Sequence, residues 1–392
     1  MRDETRLVHA GRDPDRDGGV VNPPVSRAST VLYPTLEAFA RRGEGDARYR
    51  AVRYGAYGTA NTLVLADALA ELEGGAGAVV TSTGLSAVTL ALSAFLGAGD
   101  HLLMTDSAYQ PTRAFCDEVL TRFGVETTYY DPLVGADIGG LMRPNTRVVF
   151  TESPGSLTFE VQDIPAIAEA AHRRGALLLL DNTWSAGLFF KPFDHGVDVS
   201  IQAATKYVAG HSDAVIGSIT AATEALFRRI KNTTMAFGDI AAPDTSYLAL
   251  RGLRSMASRL RQQQEAGLKI AGWLRDRPEV KRVLYPALPG DPGHAIWKRD
   301  FTGACSLFGV VLHTSDEIAV ARVVDHYRYF KIGASWGGFE SLVIPAYPAQ
   351  LRTAVAWTEP GFVLRYHVGL EAPEDLLEDL EKGFERLREG PP

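Results

Sequence analysis

Four short apolar runs stand out in the first half of the chain, at residues 78–81, 102–105, 148–151 and 177–180. Helix-like stretches separate them, of which the clearest is the amphipathic segment 164–174. A strand that is buried on both faces has a continuous apolar sequence, and alternation of such strands with helices is typical of a helix-covered parallel sheet. The pattern therefore predicts an α/β fold built on a mainly parallel sheet.

Further elements surround this sheet. Apolar residues at helical spacing follow Asn61, and Gly74-Gly75 ends that helix. A much longer helical segment covers 246–276 and is expected to lead into a second domain. The later candidates are the strands 280–284, 306–312 and 362–368 and the amphipathic helix 373–388. We therefore expect a large α/β domain at 61–250 and a smaller α+β domain at 251–392.

The first 60 residues have a different character. They are rich in Gly, Pro, Arg and Asp and contain few periodic apolar runs. This composition predicts an extended arm at 1–60 that packs on a neighbouring subunit. The alternative is a partly disordered tail.

The composition narrows the classes of function. The chain has 40 Lys+Arg and 47 Asp+Glu, a net charge of −7, so nucleic acid and anionic membrane are not expected partners. Only Cys116 and Cys305 are present, so neither a disulfide framework nor a metal site is expected, and a reducing cytoplasm fits. We find no apolar signal-peptide core and no transmembrane run of about 18 apolar residues.

The turn Thr81-Ser82-Thr83-Gly84-Leu85-Ser86 lies between a predicted strand and a predicted helix. The free N–H groups of a helix start can bind phosphate, and a glycine lets the backbone approach the ligand closely. An ordinary strand-to-helix turn would have the same sequence character. No GxGxxG or GxxxxGK[ST] motif is present, so dinucleotide and P-loop functions lack support.

Two charged residues adjoin apolar segments. Asp181 directly follows four leucines, where it could cap the next segment or pair with the protonated pyridine nitrogen of a cofactor. Lys206 lies among small and apolar residues. Most lysines are solvated surface groups, but a partly buried one can lose its proton and attack an aldehyde.

At this point the chain resembles a known family. DNTW followed by ATKYVAGHSD is similar to the Cys/Met-metabolism family of pyridoxal 5′-phosphate (PLP) enzymes. The likeness continues through YGAYGTANTLVLADALAELEGG, DSAYQPTRAFCDEVL, ESPGS, SWGGFESL and LRYHVGLE. Its closest match is the bacterial cystathionine β-lyase branch. The resemblance implies the aminotransferase-like fold type I with a seven-stranded large-domain sheet.

The resemblance also implies roles for individual residues. Lys206 would bind PLP as a Schiff base and then move the substrate proton, with Tyr109 stacked on the ring and assisting. The other cofactor-binding residues would be Asp181, Gly84, Leu85, Thr205 and, from a neighbouring subunit, Tyr54. Those around the substrate would be Arg365, which would clamp the α-carboxylate, with Ser335, Trp336, Ser156 and Tyr57.

The implied reaction is a carbon–sulfur β-elimination from cystathionine or a related S-substituted cysteine, which releases a thiol, pyruvate and ammonia. Elimination or replacement at the γ-carbon is the alternative within the same cofactor class. A non-catalytic PLP-binding homologue is the alternative outside it. The family resemblance also implies a homo-oligomer, as a dimer of dimers.

The chain departs from the family pattern at three positions. Ala56 and Tyr57 stand where arginines are usual, and Ala114 stands where the β-lyases have an acid. Arg53 or Arg27 could replace the missing phosphate contact, and Arg113 or Asp117 could replace the missing substrate contact. Without such replacement, cystathionine is expected to be a poor substrate, and a smaller or more apolar S-substituted cysteine would fit better.

Overall fold

The computed structural model describes residues 1–15 and 17–389. The helices are α1 Asp3–His9, α2 Leu36–Arg41, α3 Ala47–Arg50, α4 Ala60–Glu73, α5 Gly84–Phe95, α6 Gln110–Ala114, α7 Ile164–Arg173, α8 Glu224–Phe237, α9 Pro243–Arg275, α10 His294–Asp300, α11 Glu317–Val324, α12 Pro348–Leu351 and α13 Pro373–Glu389. The strands are β1 Gly77–Thr81, β2 His101–Thr105, β3 Glu126–Tyr130, β4 Thr146–Glu152, β5 Leu177–Asp181, β6 Val199–Gln202, β7 Gly217–Ala221, β8 Val280–Leu284, β9 Leu307–Leu312, β10 Lys331–Ile332, β11 Leu342–Ala346 and β12 Val363–His367.

The large sheet has seven strands in the order β1-β7-β6-β5-β4-β2-β3. β7 is antiparallel to both of its neighbours, and the other neighbouring pairs are parallel. The predicted mainly parallel sheet is therefore confirmed. The carboxyl ends of β1, β2, β4 and β5 consequently meet at one edge, where ligands of such sheets bind.

The predicted apolar runs coincide with β1, β2, β4 and β5 to within two residues. Every residue of β1 and β2 is buried, because the sheet is covered on both faces. The apolar pattern of the sequence does not predict β3, β6, β7, β10 and β11. The strands β6 and β7 are also buried, but they contain the polar residues Ser200, Gln202, Ser218 and Thr220.

The second sheet is smaller and has the order β10-β11-β12-β9-β8. The long helix α9 packs against α4 beside the large sheet and against β8 and β9 of the small one. The predicted domain boundary between residues 250 and 251 falls inside this continuous helix. The division into 61–250 and 251–392 accordingly remains a prediction.

The first 60 residues contain three short helices, and the packing of this arm on a neighbouring subunit remains a prediction. α1 packs on α4 and α9 of its own chain, with Leu7 buried and Arg254 donating hydrogen bonds to the carbonyls of Leu7 and Ala10. The later part of this segment contains the short helices α2 and α3 and leaves large apolar side chains such as Leu32 and Leu36 almost fully exposed. Within the described ranges, no helix combines the length and the apolar character needed to cross a membrane.

Candidate active site

Two carboxylates lie side by side at the edge of the large sheet. Glu152 ends β4 and Asp181 ends β5, and the two residues are register partners in the parallel pair. The backbone N–H and hydroxyl of Thr183 donate to Asp181 Oδ1 at 3.0 and 2.5 Å. Burial raises the pKa of Asp181, and the Thr183 hydrogen bonds and the nearby Lys206 charge oppose that rise. Asp181 is therefore held by Thr183 at the edge of the sheet, where its carboxylate can also accept a hydrogen bond from a ligand.

Lys206 follows β6 in the loop that leads to β7. The backbone N–H of Thr205 donates to the Ile216 carbonyl at 2.9 Å, which fixes the loop. Burial lowers the pKa of Lys206 to about 8, and the charge of Arg365 acts in the same direction while Asp181 opposes it. An appreciable fraction of this amine is thus neutral near pH 8, which is the form that attacks an aldehyde.

The small-sheet part of the chain supplies the groups that face this lysine. Lys206 Nζ donates to Ser335 Oγ at 2.6 Å and lies 5.4 Å from the centre of the Trp336 ring. Arg365, in β12, donates to the Ser335 carbonyl at 2.8 Å. Burial lowers the pKa of Arg365 to about 10, which leaves its guanidinium charged at neutral pH. A cation that can bind a substrate carboxylate therefore lies near the reactive amine.

The turn that presents Ser335 is tightly constrained. Ser335 has φ 86° and Gly337 has φ 87°. A Cβ at Gly337 would lie 2.9 Å from the backbone of Lys206, so only glycine allows the turn to approach this closely. The Gly337 N–H donates to Nε2 of His367 at 3.1 Å. Burial lowers the pKa of His367 to about 3, so the ring remains a neutral acceptor.

Tyr109 lies at the start of α6 on the other side of the site. Its backbone N–H donates to Glu152 Oε2 at 2.7 Å, and its side chain is about half exposed, at 48%. Burial raises the pKa of the Tyr109 hydroxyl, and Glu152 adds to the rise while Arg365 opposes it. Burial, followed by the charge of Asp181, raises the pKa of Glu152 well above its usual value. Glu152 has no role among the predictions made from sequence, although its position directly after an apolar run is a signal.

The start of α5 adjoins the loop between β6 and β7 that contains Lys206, called here the lysine loop. A Cβ on Gly84 would lie 2.5 Å from Ala203 Cβ, so this glycine lets the helix start pack against the segment that carries Lys206. Gly84 and Leu85 are the first two residues of the helix, and N–H groups at those positions have no intrahelical acceptor. Thr205 is close in sequence to Ala203, and its hydroxyl is hydrogen-bonded to the backbone of Ile216.

Tyr54 and Tyr57 contact each other within the arm, and Tyr57 also contacts α8. Tyr54 is 46% exposed, and its ring contacts that of Tyr57 at 6.0 Å. The Tyr57 carbonyl accepts a hydrogen bond from Lys231 of α8 at 3.0 Å. A Cβ at Gly55 would lie 1.9 Å from the Ala28 carbonyl, so glycine is needed for this turn of the arm. Ser156 is half-buried in the loop after β4, where its N–H donates to the Ser107 carbonyl.

The residues that could replace the missing charges already have partners. Arg113 is buried, and its Nη1 lies 2.8 Å from Asp106 Oδ1. Asp117 accepts a hydrogen bond from the Tyr129 hydroxyl at 2.7 Å.

Near the arm, Arg27 pairs with Asp244, and Arg53 donates to the Arg48 carbonyl. The Arg53 guanidinium also lies 4.9 Å from the Tyr57 ring centre. Arg113 and Arg27 are therefore paired with carboxylates, whereas among the described residues Arg53 and Asp117 form hydrogen bonds only with uncharged groups.

This arrangement fits PLP. A buried lysine with a lowered pKa suits the aldehyde, and Asp181 suits the pyridine nitrogen. The helix start at Gly84, packed against the lysine loop, suits the phosphate. Lys206, Asp181, Tyr109 and Arg365 are also close enough for their charges to influence one another's pKa values.

The chain is similar to one family of enzymes and to several known proteins. A family model described as Cys/Met metabolism PLP-dependent enzyme matches residues 4–385. The chain is 48% identical to a putative cystathionine beta-lyase of Rhizobium johnstonii, with 97% of this chain and 95% of that protein covered. It is 44% identical to the cystathionine beta-lyase of Salmonella typhimurium, with 98% of each covered. A crystal structure of cystathionine gamma synthase from Xanthomonas oryzae pv. oryzae, in complex with aminoacrylate and cysteine, is 33% identical, with a TM-score of 0.91 and 99% of each chain covered.

Proposed function

Because this chain belongs to the Cys/Met metabolism family of PLP-dependent enzymes, we propose that it eliminates the β-substituent of an S-substituted L-cysteine. It is a PLP-dependent carbon–sulfur lyase of fold type I, as the sequence predicted. The products of the proposed reaction are a thiol, pyruvate and ammonia. Cystathionine is the substrate named for the β-lyase relatives, and the preference proposed for this chain is a smaller, uncharged S-substituent.

PLP, when bound, supplies an electron sink that accepts the electron pair left by loss of the α-proton. Lys206 holds the cofactor and then, as a free amine, takes the α-proton, for which its lowered pKa is suited. Asp181 would keep the pyridine nitrogen protonated, and Tyr109 would pack on the ring. Arg365 binds and orients the substrate α-carboxylate, and Ser335 fixes both Arg365 and Lys206 through the contacts described above.

The cofactor phosphate would lie at the N–H groups of Gly84 and Leu85, with the hydroxyl of Thr205 beside it. Tyr54 would reach the phosphate of a neighbouring subunit from the arm. Trp336, Ser156 and Tyr57 would line the substrate pocket. These roles rest on the family resemblance and on the positions of α5, the lysine loop and the arm.

The observation that carries the substrate preference is the buried pair of Arg113 and Asp106. Arg113 is the cation next to Ala114, and its burial against Asp106 withdraws it from the pocket. Asp117, the nearest acid, is likewise held by Tyr129. With alanine at position 114 and Arg113 paired with Asp106, this side of the pocket lacks a charge dedicated to the distal groups of cystathionine. Sites discriminate strongly only when they pair such groups.

A γ-elimination or γ-replacement enzyme is the second candidate. The similarity to the solved cystathionine gamma synthase, at a TM-score of 0.91, supports it. A crystal structure of cystathionine gamma-lyase from Lactobacillus plantarum, complexed with L-serine, is also similar, at 28% identity and a TM-score of 0.90. The higher identity to proteins named β-lyases favours the first candidate.

We also propose that the protein is a homo-oligomer and that it is located in the cytoplasm. The arm leaves Leu32 and Leu36 exposed at 88% and 87%, which supports burial of this surface in a homo-oligomer. A dimer of dimers is the assembly that the family resemblance implies. Cys116 and Cys305 are buried free thiols, and burial raises the pKa of each to about 12. Unreactive, unpaired thiols fit the proposed cytoplasmic location.

The test is a product assay on purified, PLP-loaded enzyme with L-cystathionine and S-methyl-L-cysteine as substrates, using Lys206→Ala as the control. Pyruvate release from both, with a higher kcat/KM for S-methyl-L-cysteine, is the expected result. A strong preference for cystathionine would overturn the proposed specificity. Formation of 2-oxobutanoate would establish the γ-reaction, and bound PLP without any product would support a non-catalytic homologue.

A further inference from the structure

The acidic side chain of Asp239 contacts the start of α5, the helix that adjoins the lysine loop. Helix α8 ends at Phe237, Gly238 caps it with φ 72°, and Asp239 follows. The carboxylate of Asp239 accepts a hydrogen bond from the Ser86 hydroxyl at 2.6 Å. It also accepts from the backbone N–H of Ser82 at 3.2 Å. Asp239 therefore contacts residues on both sides of Gly84 and Leu85.

The contacts of Asp239 leave the two central N–H groups free for another anion. The Ser86 N–H already donates to Thr83 Oγ1, the cap of α5. Gly84 and Leu85 lie between the two serines that hold Asp239, and one helical turn rises by only about 5.4 Å. An anion bound by Gly84 and Leu85 would consequently lie within a few ångströms of the Asp239 carboxylate.

The charge balance at this helix start is unusual for a phosphate site. Phosphate sites commonly combine backbone N–H groups with an arginine or lysine. In this chain Ala56 stands where a phosphate-binding arginine is expected, Arg27 pairs with Asp244, and Arg53 donates to the Arg48 carbonyl. Asp239 instead adds a negative charge, which repels a phosphate dianion.

We propose that Asp239 sets the affinity of this enzyme for its cofactor by weakening the binding of the PLP phosphate. The proposal rests on the placement of that phosphate at the start of α5 and not on the identity of the amino-acid substrate. Like charges at this separation, partly screened by water, correspond to about a threefold to tenfold loss of affinity. The fraction of enzyme that carries PLP would then follow the supply of free PLP.

The test compares apoenzyme of the wild type with Asp239→Asn. Asparagine keeps an oxygen that can accept the Ser82 and Ser86 hydrogen bonds and removes the charge. Titration with PLP, followed by the visible absorbance of the lysine-bound cofactor, should give a Kd about threefold to tenfold lower for D239N at pH 8. Titration with pyridoxal, which lacks the phosphate, should give equal Kd values for the two proteins.

The dependence on pH provides a second readout. A phosphate monoester has its second pKa near 6, so lowering the pH from 8 to 6 converts the dianion toward the monoanion. The ratio of the wild-type Kd to the D239N Kd should shrink over this range. The matched control Glu374→Gln removes the same charge on α13, where Glu374 pairs with Lys269, and should leave the PLP Kd unchanged.

Two results would overturn the proposal. A PLP Kd that is unchanged or higher in D239N would mean that Asp239 only stabilises the helix start. A change of the same size for pyridoxal and PLP would mean that the effect does not act through the phosphate. Both readouts are independent of turnover, so they stand whether or not the enzyme proves to be a β-lyase.

Discussion

Lys206 Nζ donates a hydrogen bond of 2.6 Å to the hydroxyl of Ser335, although the two residues are 129 positions apart in the chain. Ser335 holds this position in the left-handed backbone region, with φ 86°. A serine in that region is strained, and such strain persists only where the surroundings enforce it. Here Arg365 and the close approach of Gly337 to Lys206 enforce it. The position of the reactive amine thus depends on the turn before β11.

Two replacements of Ser335 should distinguish the backbone strain at this residue from the role of its hydroxyl. Ser335→Gly and Ser335→Ala both remove the hydroxyl that accepts from Lys206, so both should lower lyase activity. Glycine adopts a positive φ without steric cost, and we expect S335G to be more stable than S335A by about 1 kcal/mol. The check is a comparison of urea-unfolding midpoints of the two apoenzymes. Equal midpoints would contradict the assignment of strain to this residue.

The lowered pKa of Lys206 predicts how cofactor attachment depends on pH. A pKa near 8 means that the neutral, nucleophilic amine prevails above pH 8 and falls about tenfold for each pH unit below it. The rate at which apoenzyme gains the absorbance of lysine-bound PLP should rise with pH up to about 8 and then level off. Rapid-mixing absorbance measurements give this profile, with Lys206→Ala as the blank. A rate that still climbs through pH 10 would indicate an ordinary lysine.

Arg365 should be replaceable by lysine only at a large cost in substrate binding. Lysine keeps the positive charge but cannot form the paired hydrogen bonds of a guanidinium to a carboxylate. For Arg365→Lys we expect kcat/KM to fall by about 10- to 100-fold, mainly through KM. Steady-state kinetics measures this, and the absorbance spectrum of bound PLP serves as the control. A fall confined to kcat would argue against carboxylate binding.

A carboxylate introduced at position 114 should shift the substrate preference. Ala114→Asp places an acid where the chain departs from the β-lyase pattern, and it can pair with the distal ammonium of cystathionine. We expect the ratio of kcat/KM for cystathionine to that for S-methyl-L-cysteine to rise about tenfold or more. Ala114→Asn is the matched control, because it has nearly the same shape without the charge. An equal shift in both variants would show that charge is not the cause.

The buried pair of Arg113 and Asp106 should contribute far more to stability than an exposed pair. Burial alone would raise the pKa of Asp106, but hydrogen bonds from the backbone of Val355 and its neighbours, and from Arg113, lower it. Loss of one partner leaves a buried charge unpaired, so Arg113→Met should reduce the free energy of unfolding by about 3–5 kcal/mol.

The matched control for this pair is Arg143→Met. Arg143 pairs with Glu126 at the surface, with side chains 43% and 69% exposed, so its loss should cost less than about 1 kcal/mol. Denaturant unfolding of both apoenzymes measures the two effects. Similar losses of unfolding free energy in the two variants would contradict the difference expected between a buried and an exposed ion pair.

The sequence predicted β1, β2, β4 and β5, whose apolar sequences reflect burial on both faces of the large sheet. It did not predict β3, a partly exposed edge strand, nor β6 and β7, which are buried but polar. The polar groups of β6 are accommodated by contacts that are remote in sequence. Ser200, for example, donates to Glu73 at 2.6 Å across 127 positions, and no local pattern reveals such a partner.

The same limit applies to the site. Lys206 and Asp181 could be selected from the sequence, because each is a charge next to an apolar segment. The contact of Glu152 with the Tyr109 backbone, the burial of Arg113 and the contact of Asp239 with Ser86 could not. Each depends on segments that are brought together only when the chain is folded.

Asp106 has one further consequence for how this enzyme can diversify. Its carboxylate accepts the backbone N–H groups of Thr353, Ala354 and Val355, at 2.9 to 3.0 Å. Backbone groups are the same for every residue except proline, so the side chains at 354 and 355 can change without loosening the segment. Asp106 therefore holds this loop in position whatever side chains the loop carries at positions 354 and 355. Mutation can vary the surface of this loop while the fold remains intact.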